Sequence, residues 1–226
     1  MRPLIIMYGE KIDWFHTVIR MLMYLAGVAV LALGMSLQTA SGLGVAALTC
    51  FATTLSMLTG KTLGFWITAT YVAYIVAQFT ILRREFQPRI LLELCFSTLT
   101  GGFTDFFMAV NPLHPAALPI QVETMLLSLA VTAFGVSLVV NMGVVPNAPD
   151  GLVQVIAEKI KRRFGDVKVV FDCSHVAASL VLSLALMHSL GGFGVTTAIS
   201  ALFLGHVINI ANKLFAQRFV RAAFGK

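Results

Sequence analysis

Six long apolar segments alternate with short polar ones along the chain. They comprise 18 to 21 residues each, enough for a helix to cross a hydrocarbon layer of about 30 Å at about 1.5 Å per residue. A membrane-spanning barrel would need many strands of about ten residues with alternating polarity, and the sequence contains no such pattern. The pattern predicts an all-α membrane protein with six transmembrane helices, at 21–38, 64–82, 90–110, 122–141, 169–188 and 195–212.

The basic residues lie at alternate ends of these segments. Fifteen of the sixteen Lys and Arg residues precede the first segment, follow the sixth, or lie between the second and third or the fourth and fifth. Lys61 is the exception. Because the cytoplasmic loops of membrane proteins are enriched in Lys and Arg, this distribution predicts that both termini are cytoplasmic.

The composition supports a membrane location. The chain is 58% hydrophobic and 12% charged, about half the charged fraction of roughly 25% that is typical of soluble domains. We expect the lipid bilayer as a partner, and we interpret the net charge of +6 as a property of cytoplasmic loops, not of a nucleic-acid-binding surface. The three cysteines lack metal-ligand spacing and no catalytic motif occurs, so we expect no metal, no cofactor and no enzyme activity.

A weak internal repeat relates the two halves of the chain. An offset of 101 residues aligns three glycines of the first half with three of the second: Gly34, Gly42 and Gly64 with Gly135, Gly143 and Gly165. Each half holds three crossings, and this odd number turns the second copy upside down in the membrane. The repeat predicts a single membrane domain, 1–226, made of two inverted three-helix repeats at about 20–110 and about 122–213, as in many secondary transporters.

Each repeat also contains a short interruption between its first two crossings. The first, 42–64, is apolar enough to re-enter the bilayer. The second, 143–165, contains Pro146, which stops the preceding helix, and Asn147 or Asp150 can cap the next one. Two interpretations remain open: a broken element facing a substrate, or an amphipathic interfacial helix that only connects two crossings.

Polar side chains inside the predicted crossings form a candidate path for a solute or ion. Asp105 has no basic residue in a neighbouring helical turn and could carry a proton or cation, or simply lie at the outer interface. The other side chains either line the same path or hydrogen-bond neighbouring helices together. The candidate path comprises Asp105, Asp150, His206, Asn209, Asn147, Asn141 and Ser137, with Asn209 corresponding to Asp105 at an offset of 104 residues.

Two further acidic residues each follow a basic residue by one helical turn. Glu93 follows Arg89, and Asp172 follows Lys168. Opposite charges at this spacing lie on the same side of a helix, so we predict ion pairs that anchor the helices near the cytoplasmic face. We predict that His175 forms an interhelical hydrogen bond or relays protons.

Several short stretches carry a resemblance to a known family. The stretches "GLGVAALTCFATTLSMLTGKTLG", "PNAPDGL", "GGFTD" and "GGFGVTTAISALFLGHVIN" resemble the YczE/YyaS/YitT family of bacterial membrane proteins. The resemblance covers most of residues 20–210. It implies a protein of the bacterial inner (cytoplasmic) membrane whose biochemical activity is poorly defined.

Two functions compete on these grounds. The leading hypothesis is a secondary transporter or permease for a small solute, with its site between the inverted repeats. The alternative is a non-transporting accessory or scaffold protein, which would use the basic stretch 152–164 to bind lipid or a partner. Small residues four apart, such as Ala201 and Gly205, permit tight helix packing within one chain or in a homo-oligomer.

Overall fold

The computed structural model describes residues 14–83, 88–113, 115–144, 147–162, 164–188 and 192–224. These residues form eight α-helices and a short 3-10 helix, Pro88–Leu91, and this part of the chain contains no β-strand. In chain order the helices are α1 (Trp14–Ser41), α2 (Ala47–Thr59), α3 (Leu63–Leu82), α4 (Leu92–Val110), α5 (Leu118–Met142), α6 (Ala148–Lys159), α7 (Phe164–Met187) and α8 (Val195–Phe224).

Five of these helices, α1, α3, α5, α7 and α8, are long and apolar enough to cross a membrane. Large apolar side chains are exposed on their outer surfaces, for example Val170 at 69% and Leu202 at 68%, and such surfaces suit lipid better than water. The remaining predicted crossing, 90–110, forms the 19-residue helix α4, which Glu93, Asp105 and several threonines make less apolar. Within the described residues the prediction of an all-α fold is confirmed, and the five long apolar helices are consistent with a membrane protein.

Helices α1 and α5 form a close antiparallel pair. A Cβ atom on Gly34 would lie 2.8 Å from the backbone nitrogen of Thr132, and one on Gly135 would lie 2.5 Å from that of Leu31. Residue 31 of α1 contacts residue 135 of α5, whereas the later residue 34 contacts the earlier residue 132, so the two helices run in opposite directions. Only glycine lets the two backbones approach this closely.

Helices α3 and α4 form a second antiparallel pair, which is also closely packed through glycines. A Cβ atom on Gly101 would lie 2.5 Å from the carbonyl oxygen of Gly64. The Thr68 hydroxyl donates a hydrogen bond to the carbonyl of Ser97, 3.2 Å away, which ties the same two helices together one turn further along. Helix α4 also packs against α1, and α8 packs against α5.

The two short helices lie toward opposite ends of α7. Helix α2 packs against α7 where the Thr54 hydroxyl meets Ser179 and Ser183, at 2.7 and 3.2 Å. Helix α6 packs near the start of α7, at Lys168. Lys168 and Ser183 are 15 residues apart, or about 22 Å along a helix. At 13 and 12 residues, α2 and α6 are both too short to cross a membrane, which takes about 20.

The link between α1 and α2 is extended and pairs with the chain just before and at the start of α8. Backbone hydrogen bonds join Val45 N–H to the Gly192 carbonyl (3.2 Å) and Thr196 N–H to the Leu43 carbonyl (2.9 Å). Gly44 has a φ of +100° and lies against Gly194, so the pairing requires a residue that tolerates left-handed backbone. These bonds satisfy polar backbone groups where the helix is interrupted.

The two adjacent glycines of α4 provide a matched test of the α3–α4 contact. Gly101→Ala would force the two backbones apart and should reduce the free energy of unfolding by about 1–3 kcal/mol. Gly102→Ala, whose added Cβ would meet nothing within 4 Å, should leave it unchanged or raise it by up to about 1 kcal/mol, because alanine favours the helix over glycine. Thermal unfolding in detergent measures both, and equal midpoints for the two variants would contradict the close contact.

Candidate functional site

The start of α6 lies among polar groups contributed by three other helices. Helix α5 ends at Gly143, which has a φ of +56°, and α6 begins after Asn147 in its N-cap position. The Asn147 side chain makes no capping hydrogen bond, contrary to one of the two predicted caps, while its backbone carbonyl accepts from Gly151 N–H at 2.9 Å. Pro146 lies outside the described residues.

An ion triad connects α6 to α7. The Lys168 ammonium lies 3.0 Å from Asp150 Oδ1 and 3.1 Å from Asp172 Oδ1. The predicted pair of Lys168 with Asp172 is therefore confirmed. The partner from α6, Asp150, turns that pair within one helix into a bridge between two helices.

A buried amide and a buried carboxylate lie on the other side of α6. The Gln78 side-chain amide donates to Glu93 Oε2 at 2.7 Å and to the Ala148 carbonyl at 3.4 Å, and both Gln78 and Glu93 are 1% exposed. A Cβ atom on Gly151 would lie 2.7 Å from Glu93 Oε1, so the Glu93 carboxylate lies directly against the backbone of α6. The predicted partner of Glu93, Arg89, has a side chain outside the described set.

Two further polar side chains between α3 and α7 are paired, and two near the start of α6 are not. Tyr74 Oη lies 2.6 Å from His175 Nε2, and His175 Nδ1 lies 2.8 Å from the Phe171 carbonyl. The carbonyl can only accept, so Nδ1 carries the proton and Nε2 accepts from Tyr74. Within the described chain, the buried Tyr71 hydroxyl and Asn147 Oδ1 have no hydrogen-bond partner.

A cleft of about 360 Å³ lies between α7 and α8 and reaches one member of the ion triad. Its lining is mostly apolar and includes Asp172, Cys173, Val176, Leu180, Phe193 and Ala198. Asp172 thus borders the cleft on one side and Lys168 on the other. The cleft and the triad form one continuous region.

Asp105 lies at a different place and has a structural partner. Its Oδ1 accepts a hydrogen bond from Gly64 N–H and its Oδ2 from the Thr62 hydroxyl, both at 2.7 Å. Thr62 is the N-cap of α3, and its hydroxyl also accepts from Phe65 N–H at 3.2 Å. A carboxylate from α4 therefore caps α3, and the sequence shows no basic partner because the partner is backbone.

The other predicted path residues are also distributed over the fold. Ser137 and Asn141 of α5 both bond Asn212 Oδ1 of α8, at 2.6 and 2.8 Å, and so hold these helices together. His206 and Asn209 lie on the exposed face of α8. Of the seven candidates, the structure places Asp150 and Asn147 together at the start of α6 and, separately, Ser137 beside Asn141 on α5. The role of all seven in a path stays a prediction.

The residue pattern did not predict that Gln78 and Tyr71 belong to this site, and it predicted only ion pairs within one helix for Glu93 and Asp172. A single amide in the apolar helix α3 is a signal for Gln78, because a buried side-chain amide needs a partner in lipid. Nothing in the order of residues marks Tyr71, which differs from the other tyrosines only through its surroundings.

The capping role of Asp105 predicts a loss of stability without it. Asp105→Ala should reduce the free energy of unfolding by about 0.5–2 kcal/mol, since two hydrogen bonds at the start of α3 are lost. Asp105→Asn retains an acceptor for Gly64 and a donor for Thr62, so it should lie close to wild type. Thermal unfolding with the exposed Glu123→Ala as control tests this, and a wild-type midpoint for Asp105→Ala would exclude the cap as a source of stability.

Comparison with known proteins gives one match, which covers most of the chain. No curated protein and no solved structure matches it, so the narrower resemblance to the YczE/YyaS/YitT family is not supported by a named relative. A family model matches residues 18–213, from the first membrane-length helix into the last. The chain therefore belongs to DUF6198, a family of unknown function.

Proposed function

We propose that the protein is a secondary transporter or permease for a small solute, built from two inverted three-helix repeats. The observation that carries this proposal is that contacts within and between the two halves recur when residue numbers are shifted by 101. Such a recurrence is expected of inverted repeats, which form the framework of many transporters. The polar region around the start of α6, joined to the cleft beside α7, would hold the solute or its coupling ion.

The interhelical hydrogen bonds recur at this offset. Asn111, at the end of α4, donates to Ser36 of α1 at 3.2 Å. Ser137 of α5 donates to Asn212 of α8 at 2.6 Å. Both residues of the second pair are 101 positions after those of the first, so α4 meets α1 as α8 meets α5.

The close backbone contacts recur in the same way. Gly34 lies against Thr132, and Gly135, which is 101 positions after Gly34, lies against Leu31, which is 101 positions before Thr132. Exchanging α1 with α5 converts the first of these contacts into the second, as expected when a two-fold axis passes between the two helices. Since α1 and α5 run antiparallel there, this supports an axis in the membrane plane and opposite orientations of the two halves.

The short helices are related too. Gln78 of α3 donates to the Ala148 carbonyl of α6 at 3.4 Å, and Ser179 of α7, 101 positions later, donates to the Cys50 carbonyl of α2 at 3.2 Å. Each short helix thus presents backbone carbonyls to a polar side chain of a long helix in the opposite half. Interrupted helices at membrane depth are the elements from which transporter sites are usually built.

One pair of equivalent contacts differs between the halves, and this difference supports alternating access. Helices α3 and α4 are closely packed through Gly64 and Gly101. Among the described residues, their counterparts α7 and α8 do not pack to a similar extent and border the cleft of about 360 Å³. Closing one pair while opening the other would move access from one side of the membrane to the other.

The basic residues suggest the orientation in the membrane. Lys159, Lys161 and Arg162, at the end of α6, are exposed. By the positive-inside rule this end faces the cytoplasm, together with both termini, in a bacterial inner membrane. The same exposed basic surface favours the alternative function, an accessory or scaffold protein that binds anionic lipid or a partner protein there.

The inverted arrangement predicts that two exposed lysines lie on opposite sides of the membrane. In a background without the native cysteines, Lys61→Cys should react with a membrane-impermeant maleimide in intact spheroplasts. Lys161→Cys should react only after permeabilisation. Labelling of both from the same side would refute opposite orientations of the two repeats.

Transport itself is testable in proteoliposomes. We expect uptake of at least one solute from a panel of labelled amino acids, sugars, carboxylates and amines. Asp150→Asn should reduce that uptake by at least about tenfold, because a charge-assisted contact to Lys168 contributes about 1.5–3 kcal/mol. Glu123→Gln, at an exposed position on α5, is the matched control and should transport normally.

The outcome also separates the two functions. Background uptake of the whole panel by folded wild-type protein would reject transport of those solutes. Co-purification of a stoichiometric partner that is lost when Lys159, Lys161 and Arg162 are changed to Gln would then favour the accessory role.

A further inference from the structure

We propose that the start of α6 is a binding site for a small monovalent cation, with Na⁺ as its expected occupant and Lys168 as an internal competitor. The ligands would be the carboxylates of Asp150 and Asp172 with the side-chain oxygens of Asn147 and Tyr71. Binding does not depend on transport, but the role of this cation as a coupling ion rests on the proposed function.

The ion triad carries an excess of negative charge. Two carboxylates share one ammonium, at 3.0 and 3.1 Å, which leaves the three groups with a net charge of −1. The side chains of Lys168 and Asp172 are 21% and 23% exposed and so are largely shielded from solvent, whereas that of Asp150 is 36% exposed. Ionisable residues in a membrane-embedded segment are costly, and an uncompensated charge there attracts a counter-ion.

Two oxygen atoms beside the triad have unused hydrogen-bonding capacity. Tyr71 is 3% exposed, and in the described part of the chain neither its hydroxyl nor Asn147 Oδ1 has a hydrogen-bond partner. The Tyr71 hydroxyl faces Asn147 and lies within electrostatic range of Asp150. Buried polar atoms without partners are rare in native proteins, and two beside a pair of carboxylates point to a missing ligand.

The donor set fits a hard cation. Carboxylate, amide and hydroxyl oxygens are the ligands that such ions prefer, whereas softer metals prefer sulfur or imidazole. Asn147 lies in the non-helical link between α5 and α6, and unwound segments of this kind coordinate Na⁺ in transporters through their carbonyl oxygens.

The charge of the ion follows from the net charge of the triad. Lys168, Asp150 and Asp172 together carry a net charge of −1, so one monovalent cation makes the site neutral. A divalent ion would leave a positive charge in a poorly solvated environment, which is electrostatically expensive. Because both are cations, Na⁺ and the Lys168 ammonium compete for the same two carboxylates.

The cleft beside α7 offers a way in. Asp172 is among the residues that line the cleft, and its carboxylate contacts Lys168. A cation that reaches Asp172 would release Lys168 from Asp150 and thereby weaken the bridge that ties α6 to α7. Binding is in this way coupled to the freedom of the interrupted helix to move.

Competition by Lys168 predicts a gain of binding when the lysine is removed. Full-length protein in nanodiscs would be titrated with ²²Na⁺ at constant ionic strength, balanced with choline chloride. Lys168→Met should bind Na⁺ at least about tenfold more tightly than wild type, because an occupied site lowers the apparent affinity by its free fraction. Lys161→Met, an exposed lysine near the end of α6, is the matched control and should bind as wild type.

The ligands are tested in the opposite direction. Asp150→Asn and Asp172→Asn should each abolish saturable ²²Na⁺ binding, and Tyr71→Phe should weaken it several-fold in the Lys168→Met background. If Lys168→Met does not fold, Lys168→Gln replaces it, and in wild type Na⁺ but not choline should raise the thermal midpoint. Unchanged or weaker binding without the lysine, or saturable binding of ⁴⁵Ca²⁺ with none of Na⁺, would overturn the proposal.

Transport and cation binding can fail separately. Saturable Na⁺ binding in a protein that moves no solute would retain the cation site and reject the transporter. Solute uptake by a protein that binds no Na⁺ would retain the transporter and reject the cation site.

Discussion

Helices α1 and α5 approach each other so closely that no side chain fits at Gly34 or Gly135, and the arrangement of the other helices depends on this contact. In lipid, burial of apolar surface supplies little attraction between helices, so close packing and interhelical hydrogen bonds must hold them together. With the two backbones in contact, Asn111 reaches Ser36 on one side and Asn212 reaches Ser137 on the other. Helices α4 and α8 are thereby positioned on the central pair, and α3 follows α4 through the glycine contact between them.

The need to satisfy polar groups in a membrane explains most of the interior. The Asp105 carboxylate caps α3, the Thr54 hydroxyl meets Ser179, and Tyr74 donates to His175. Each of these polar groups has a hydrogen-bond partner on a neighbouring helix, so each stabilises the fold. The start of α6 is different, because a carboxylate pair shares one ammonium there and two buried oxygens lack partners among the described residues. The excess negative charge and the unpaired oxygens make the start of α6 the best candidate for a binding site in the described chain.

The comparison of Asp105 with Asp150 shows why the residue order was an incomplete guide to the site. Asp105 drew attention because no basic residue lies in a neighbouring turn, yet backbone N–H groups at a helix start satisfy a carboxylate equally well. Lys168 and Asp172 received little weight because their spacing suggested a local pair. The third member, Asp150, is 18 positions from Lys168 in the chain, and only the packing of α6 on α7 brings it within 3.0 Å.

The sequence by itself determined the class of the protein and the position of its helices. Runs of apolar residues must form helices in lipid, because helices satisfy their own backbone groups, and this local rule placed every long helix to within a few residues or turns. The glycines around 42–64, and the prolines and glycines around 143–165, likewise located α2 and α6. Only the tertiary structure decided which polar side chains meet, because hydrogen bonds and ion pairs between helices depend on rotation and crossing geometry. Those quantities are set by contacts such as Gly34 with Thr132 and Gly101 with Gly64, between residues far apart in the chain.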